Sequence, residues 1–304
     1  MAAMTMIVSP FSRLDDDSVL LADGAMGTNL LAAGLPAGVA PERWLTERPE
    51  AIAALHHAFV AAGSDVVLTC SFGANAPRLA LWGAAMRTRE LNRLAADLAR
   101  RAVERASRPV LVAGSVGPTW RDAVSGYASA EDEAVGVFAE QIAGLKAGGI
   151  DFVWLETMVS AAEARAAARA AISVGLPYVA TASFGAGGTT PAGLSAPQFA
   201  AVFEGLEVAP LAIGTNCCEG PDTTLACAAA MERLPGVRLA VKPNCGLPRS
   251  VGEDAVHPEG PGSMARFAKA AIERGATILG GCCGAEPAHV AAMRQVIDRH
   301  GRRS

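Results

Sequence analysis

Ala276-Thr277-Ile278-Leu279-Gly280-Gly281-Cys282-Cys283 reads as a short buried strand that runs into a bent, glycine-rich end, and residues 286–300 behind it have helical periodicity. This is the eighth such pairing in the chain. Seven earlier strand-length apolar runs, at 19–25, 65–72, 109–117, 152–158, 177–184, 210–217 and 238–246, each precede an Ala-rich helical segment, at 49–62, 88–107, 129–147, 160–174, 196–204, 222–234 and 262–274. Regular alternation of this kind implies a parallel sheet covered by helices. Eight βα units is the count that closes a (β/α)₈ barrel of the TIM type, and a doubly wound open sheet is the alternative. Gly63, Gly148-Gly149, Gly175 and Gly275 sit just past helix ends, where C-caps belong. No Gly/Ser-rich or Pro-rich linker interrupts the series. Residues 1–304 are therefore expected to form one α/β barrel domain, with 1–17 as a lead-in and the connections 28–48, 73–87 and 247–261 as surface loops that roof a site.

Composition narrows the partners. A hydrophobic share of 51% with only 18% charged residues suits a packed globule rather than a tail, and a net charge of -4 provides no electrostatic footprint for nucleic acid or an anionic membrane. No apolar run approaches a membrane span, and the first residues lack the basic region of a secretory signal. Seven cysteines are too sparse for a disulfide scaffold and odd in number. Reduced thiols in the cytoplasm, and small neutral or zwitterionic ligands, are the expectation.

Two adjacent cysteines framed by glycines in Gly280-Gly281-Cys282-Cys283-Gly284 make a poor structural element, because neighbours in a regular strand point to opposite faces. A bent backbone, which the glycines permit, brings both sulfurs to one ion. A third thiol stands at the end of another strand-like run, in Gly214-Thr215-Asn216-Cys217-Cys218. Three thiolates, Cys217, Cys282 and Cys283, leave one tetrahedral position open, which marks a catalytic Zn2+ rather than a closed structural one. Cys218 stands close enough in sequence to reach the same ion and is left open as a ligand. Cys70, Cys227 and Cys245 read as buried small hydrophobes.

In a barrel the C-terminal strand ends share one face. That is where the unusual polar residues of this chain fall: Asp23-Gly24, Thr69 to Phe72, Gly114-Ser115, Glu156-Thr157, Asn216-Cys217, Asn244, and Cys282-Cys283. Asp23 and Glu156 directly follow buried-looking runs, where an unpaired carboxylate would be costly, so both read as catalytic residues. Lys242 alone at a strand end is a weak signal for a Schiff-base lysine. The five histidines lack metal-ligand spacing and read as surface or packing residues. No phosphate-binding loop, dinucleotide fingerprint or Ser-His-Asp set is present. A thiolate-rich zinc site with an open position suits one chemistry above others: it holds a substrate thiol as thiolate at neutral pH, ready to attack an alkyl carbon.

Taken together, these residues resemble the homocysteine S-methyltransferase family, which includes betaine–homocysteine methyltransferases, enzymes that use S-methylmethionine, and the homocysteine domain of cobalamin-dependent methionine synthase. The resemblance runs through Asp23 to Thr28, Gly63-Ser64-Asp65, Thr69 to Phe72, Ala113 to Pro118, Leu155-Glu156-Thr157, Gly214 to Cys217, Asn244 to Pro248 and the closing Gly-Gly-Cys-Cys-Gly. It implies a (β/α)₈ barrel with zinc on Cys217, Cys282 and Cys283, and with Glu156 and the Asp23-Gly24 turn holding the amino acid part of homocysteine. Ser115 and Asn216 complete the expected substrate-binding set. The implied reaction is zinc-dependent methyl transfer from a small onium donor to homocysteine, giving methionine, with betaine ahead of S-methylmethionine and S-adenosylmethionine as donor. A component served by a separate corrinoid partner, and a non-catalytic zinc-thiolate sensor, are the alternatives. Two departures stand out. Gly73 and the Val39-Ala40 pair occupy positions where the animal betaine enzymes carry aromatic residues, so Trp44, Trp120 or Trp154 would have to face the onium group instead. The chain also ends at Ser304, without the extension that helps some relatives assemble, so tetramer formation by that route is not expected and the oligomeric state is left open.

Overall fold

The seven residues of Phe152–Met158 (β4) are all buried, although Glu156 and Thr157 are polar. Continuous burial is the signature of a parallel strand covered on both faces. The computed structural model describes residues 18–119, 131–232, 234–251 and 254–301. The lead-in 1–17, Trp120 and the start of the helical segment expected at 129 lie outside the described residues.

Eight parallel strands form the sheet: β1 Leu20–Leu21, β2 Val66–Leu68, β3 Leu111–Val116, β4, β5 Tyr178–Ala182, β6 Ala212–Asn216, β7 Arg238–Lys242 and β10 Ile278–Leu279. Their order is β1-β10-β7-β6-β5-β4-β3-β2, and a parallel bridge between Ala22 and Val66 joins the two ends into a ring. The expected barrel is therefore the fold. Side chains alternate as the pleat requires. Leu20, Leu68, Leu111, Phe152, Trp154, Val179, Ala240 and Ile278 fill the interior, whereas Leu21, Val67, Val112, Val153 and Leu155 pack outward under the helices. Continuing the period of two along the strands carries Ser115, Glu156, Thr181, Asn216 and Lys242 onto the inner side, above the apolar layers.

The covering helices bury small residues closely against the sheet. In Ala161–Val174, seven residues are buried and six of them are alanines. Ser160 accepts the Glu163 N–H at its start, and Gly175 closes its end at φ 72° in the left-handed region.

Three expectations change. The first and last barrel strands have only two residues each, because the chain leaves the sheet after Leu21 and Leu279 to build turns at the site. The connection 247–261 contains an antiparallel hairpin, β8 Arg249–Val251 with β9 Asp254–Val256. The connections 28–48 and 73–87 hold short helices, including Pro41–Arg43 and Ala76–Ala80, and Pro41, Glu42 and Arg78 from them line the site. Among the described residues no helix is long and apolar enough to cross a membrane.

Candidate active site

After β10 the chain turns sharply. Gly281 N–H donates to the Asp23 carbonyl at 3.0 Å, Cys282 N–H to the Pro243 carbonyl at 2.7 Å, and Cys283 N–H to Asn244 Oδ1 at 3.0 Å. These bonds take the Cys-Cys pair out of the pleat, so both sulfurs face the same way. At the end of β6, Cys217 adopts a left-handed conformation, φ 56°, uncommon for a residue with a side chain. Its N–H donates to the Lys242 carbonyl at 3.1 Å, and its carbonyl accepts from Ser183 Oγ at 3.0 Å. The outcome is a cluster in which the sulfurs of Cys217, Cys282 and Cys283 all lie within 4.8 Å of one another.

The cluster fits a thiophilic ion. Two sulfurs bonded at about 2.3 Å to a tetrahedral zinc stand about 3.8 Å apart, and Cys217 and Cys283 are separated by 3.8 Å. Packed together, the three thiols do not ionise alike. Hydrogen bonds from Cys217 and Cys282 hold Cys283 down to about 4, and the same sharing pushes Cys217 far up. Cys218 stands apart. Its sulfur lies 3.8 Å from the Asn216 carbonyl, in the core between sheet and helices. Cys70, Cys227 and Cys245 are buried as expected.

Asn216 holds this arrangement from behind. Its Oδ1 accepts the Thr157 N–H and the Thr181 hydroxyl, each at 2.7 Å, while Nδ2 donates to Thr157 Oγ1 at 2.7 Å and lies 3.9 Å from Cys282 Sγ. Thr157 is itself left-handed at φ 60°. Strain of this kind costs on the order of 1–3 kcal/mol per residue, and a fully bonded amide is what sustains it. Asn216, expected among the substrate-binding residues, is fully buried and is not among the residues that line the cavity; its amide contacts are to Thr157, Thr181 and Cys282.

Above the sulfurs opens a cavity of about 560 Å³. Asp23, Gly24, Ser115, Glu156 and Lys242 line it from the strand ends, beside the three cysteines. Gly24 is obligatory there, because a Cβ would lie 2.4 Å from the Ala285 carbonyl oxygen. Asp23 Oδ2 accepts the Leu68 N–H at 2.8 Å, whereas Oδ1 is buried with no hydrogen-bond partner among the described residues, and the Lys242 ammonium stands 3.6 Å from it. Glu156 accepts from the Ser115 hydroxyl. Burial pushes Asp23 up to about 7, against the pull of Lys242, and raises Glu156 as well. For Lys242 burial works against the charge, but Asp23 and Glu156 outweigh it and leave the ammonium more basic than usual.

Lys242 is the cavity residue that the sequence reading undervalued. It sits 4.9 Å over the Trp154 ring and pairs with the carboxylates, an ionic anchor rather than an isolated amine. Counting inward positions along β7 would have found it. Of the tryptophans offered for an onium contact, Trp120 lies outside the described residues, and the other two do not face the cavity. Trp154 is capped by Lys242 and Trp44 by Arg48, at 4.8 Å, and neither lines the cavity. Among the described residues, Phe72 is the aromatic side chain that lines the cavity.

Comparison with known proteins agrees with this geometry. The family described as Homocysteine S-methyltransferase matches residues 20–297. A methionine synthase of Mycobacterium tuberculosis is 31% identical over 298 residues, covering 92% of this chain, and one of Mycobacterium leprae is 29% identical over the same length. The chain spans 24% of the length of each. Among crystal structures, the homocysteine methyltransferase MmuM from Escherichia coli in its metallated form superposes with a TM-score of 0.78 at 25% identity, covering 93% of this chain and 98% of that one. Its oxidized form gives 0.76 at 26% identity, covering 94% and 99%.

Proposed function

Because this chain belongs to the homocysteine S-methyltransferase family, we propose that it moves a methyl group from a small onium donor to the sulfur of homocysteine and so forms methionine, with zinc as its metal. The observation that carries this reading is the sharing of one cavity by a three-thiol cluster and a buried carboxylate pair. Thiols for the metal and carboxylates for an ammonium group are what an amino acid bearing a thiol needs at its two ends.

Cys217, Cys282 and Cys283 would hold the zinc, whose chemistry when bound is to lower the pKa of a substrate thiol from about 8.5. The chain's own residues do the rest. Asp23 Oδ1, a buried acceptor without a donor among the described residues, takes the α-ammonium of homocysteine together with Glu156. Ser115 fixes the Glu156 carboxylate, and Lys242 favours the ionised form of both acids until the second cation arrives. The largely apolar outer wall keeps water from the sulfur, which strengthens it as a nucleophile and holds the donor methyl in line. In the transfer the new S–CH₃ bond forms as the donor's N–C or S–C bond breaks, and the electron pair leaves with a neutral amine or thioether. Glycine betaine is the first choice of donor, ahead of S-methylmethionine and S-adenosylmethionine.

A second reading has a specific observation behind it. The mycobacterial relatives are methionine synthases about four times the length of the match, so the methyl group could instead come from a methylated corrinoid on a partner. Purified protein incubated with zinc, homocysteine and labelled donors tests both. Methionine formed from an onium donor alone supports the first reading, and methionine formed only with a methylcorrinoid supports the second.

A further inference from the structure

Away from the sulfurs and carboxylates, the cavity wall carries one cation whose hydrogen-bonding capacity is unmet. Arg78 lies in the short helix Ala76–Ala80, where its N–H is capped by Asn75 Oδ1 at 3.2 Å. Its guanidinium stacks 5.1 Å over Phe72, and both residues line the cavity. Nη1 is shut off from solvent and has no hydrogen-bond partner among the described residues. Glu42 is the nearby carboxylate, but its Oε1 accepts the Gly73 N–H. Gly73 is what makes room for the pair: a Cβ there would stand 2.9 Å from Glu42 Oε1 and 3.1 Å from Arg78 Nε. The departure noted in the sequence, glycine for an aromatic residue, thus coincides with a guanidinium folded over the vacated position.

A guanidinium presents a planar fork of donors that matches a carboxylate, and a buried N–H lacking an acceptor is strongly unfavourable until one is supplied. Phe72 beside it offers an aromatic surface for an onium methyl cluster, and Met26 and Leu31 also line the cavity. Homocysteine, fixed at the strand ends by its sulfur and its ammonium, leaves this wall to the second substrate.

We propose that Arg78 is the carboxylate-binding residue of the donor subsite, so that this enzyme takes methyl donors carrying a carboxylate and discriminates against neutral-tailed or tailless onium compounds. The proposal rests on the onium-donor reading above. The donor's carboxylate pairs with Arg78, its onium group lies against Phe72, and its methyl points toward the sulfurs.

The test is binding to the zinc-loaded, homocysteine-saturated protein, measured by calorimetry with glycine betaine and with tetramethylammonium as probes. Wild type should bind betaine at least tenfold more tightly. Arg78→Gln should weaken betaine by about ten- to a hundred-fold and abolish the preference, and Arg78→Lys should restore part of it. Equal affinity of wild type for the two probes overturns the proposal even if the variants do not fold. So does a loss of homocysteine affinity in Arg78→Gln with betaine unaffected, because Arg78 then grips the acceptor's carboxylate. If the preference is present yet no onium donor yields methionine, Arg78 is shown to bind a carboxylate, but the donor role given to that ligand is overturned together with the donor reading.

Discussion

The ammonium of Lys242 stands 3.6 Å from Asp23 Oδ1 and directly over Trp154, too far for a hydrogen bond and close enough for a strong charge interaction. One lysine thus serves two buried acids at the centre of the barrel mouth. The site is one positive charge short of neutralising ionised Asp23 and Glu156, and the α-ammonium of the proposed acceptor would supply it.

The first prediction concerns metal stoichiometry. Cys217→Ala, Cys282→Ala and Cys283→Ala should each lose bound zinc and activity, since two thiolates make a weak site, whereas Cys218→Ala should retain about one zinc per chain. Metal analysis after gel filtration is the measurement, and an emptied Cys218→Ala would refute the ligand set.

Glu156→Gln should keep its zinc and weaken homocysteine binding by about 1.5–3 kcal/mol, the usual loss for a hydrogen bond to a charged group. Donor affinity should change much less. Titration calorimetry with each substrate separates the two, and the opposite pattern would turn Glu156 toward the onium group.

Asn216→Ala should lower zinc affinity about 10- to 100-fold, the usual effect of removing a group that orients a metal ligand. The amide is what holds Thr157 in its left-handed conformation and supports Cys282. Competition with a chromogenic chelator reads the affinity. Unchanged zinc affinity would mean that the strand ends hold their shape without it.

The pH dependence of stability follows from Asp23. Its folded pKa, about 7, lies above the ordinary value of 3.8, because burial disfavours the charge. The folded state therefore binds the extra proton between those limits, so this group's contribution is full below about pH 4 and is lost as pH rises through about 7. Denaturant titrations of metal-free protein should show a downward slope over that window, and Asp23→Asn should remove Asp23's share of it. An identical slope in the variant would place the proton elsewhere.

Much of this was legible in the chain. Eight strand-helix pairs are countable because parallel strands buried on both faces leave unbroken apolar runs, and the three sulfurs are readable because adjacent cysteines between glycines have few other uses. What stayed hidden depends on contacts between distant segments. Asn216 stands out as a polar strand end, but that its amide is bonded to Thr157, 59 positions away, is visible only in the folded chain. Cys217 and Thr157 adopt conformations usually left to glycine, and no residue type announces that. Arg78 and Glu42 lie in connections that read as loops, and only the fold around Gly73 turns them toward the cavity.

The ring of strands has a thin place. β1 and β10 contribute two residues each, and a single bridge at Ala22 and Val66 completes the circuit. Asp23 and the Cys282-Cys283 turn hang from that seam, whereas Cys217 hangs from the five-residue β6. Fraying would begin at the seam and scatter the reactive groups while most of the barrel persisted. An ion bonded to Cys217 on one side and to Cys282 and Cys283 on the other is a clasp across that weakness. Amide exchange at Ala22 and Gly280 should slow on metal loading far more than exchange in β4, so that the part doing the chemistry also becomes the fastener of the wall.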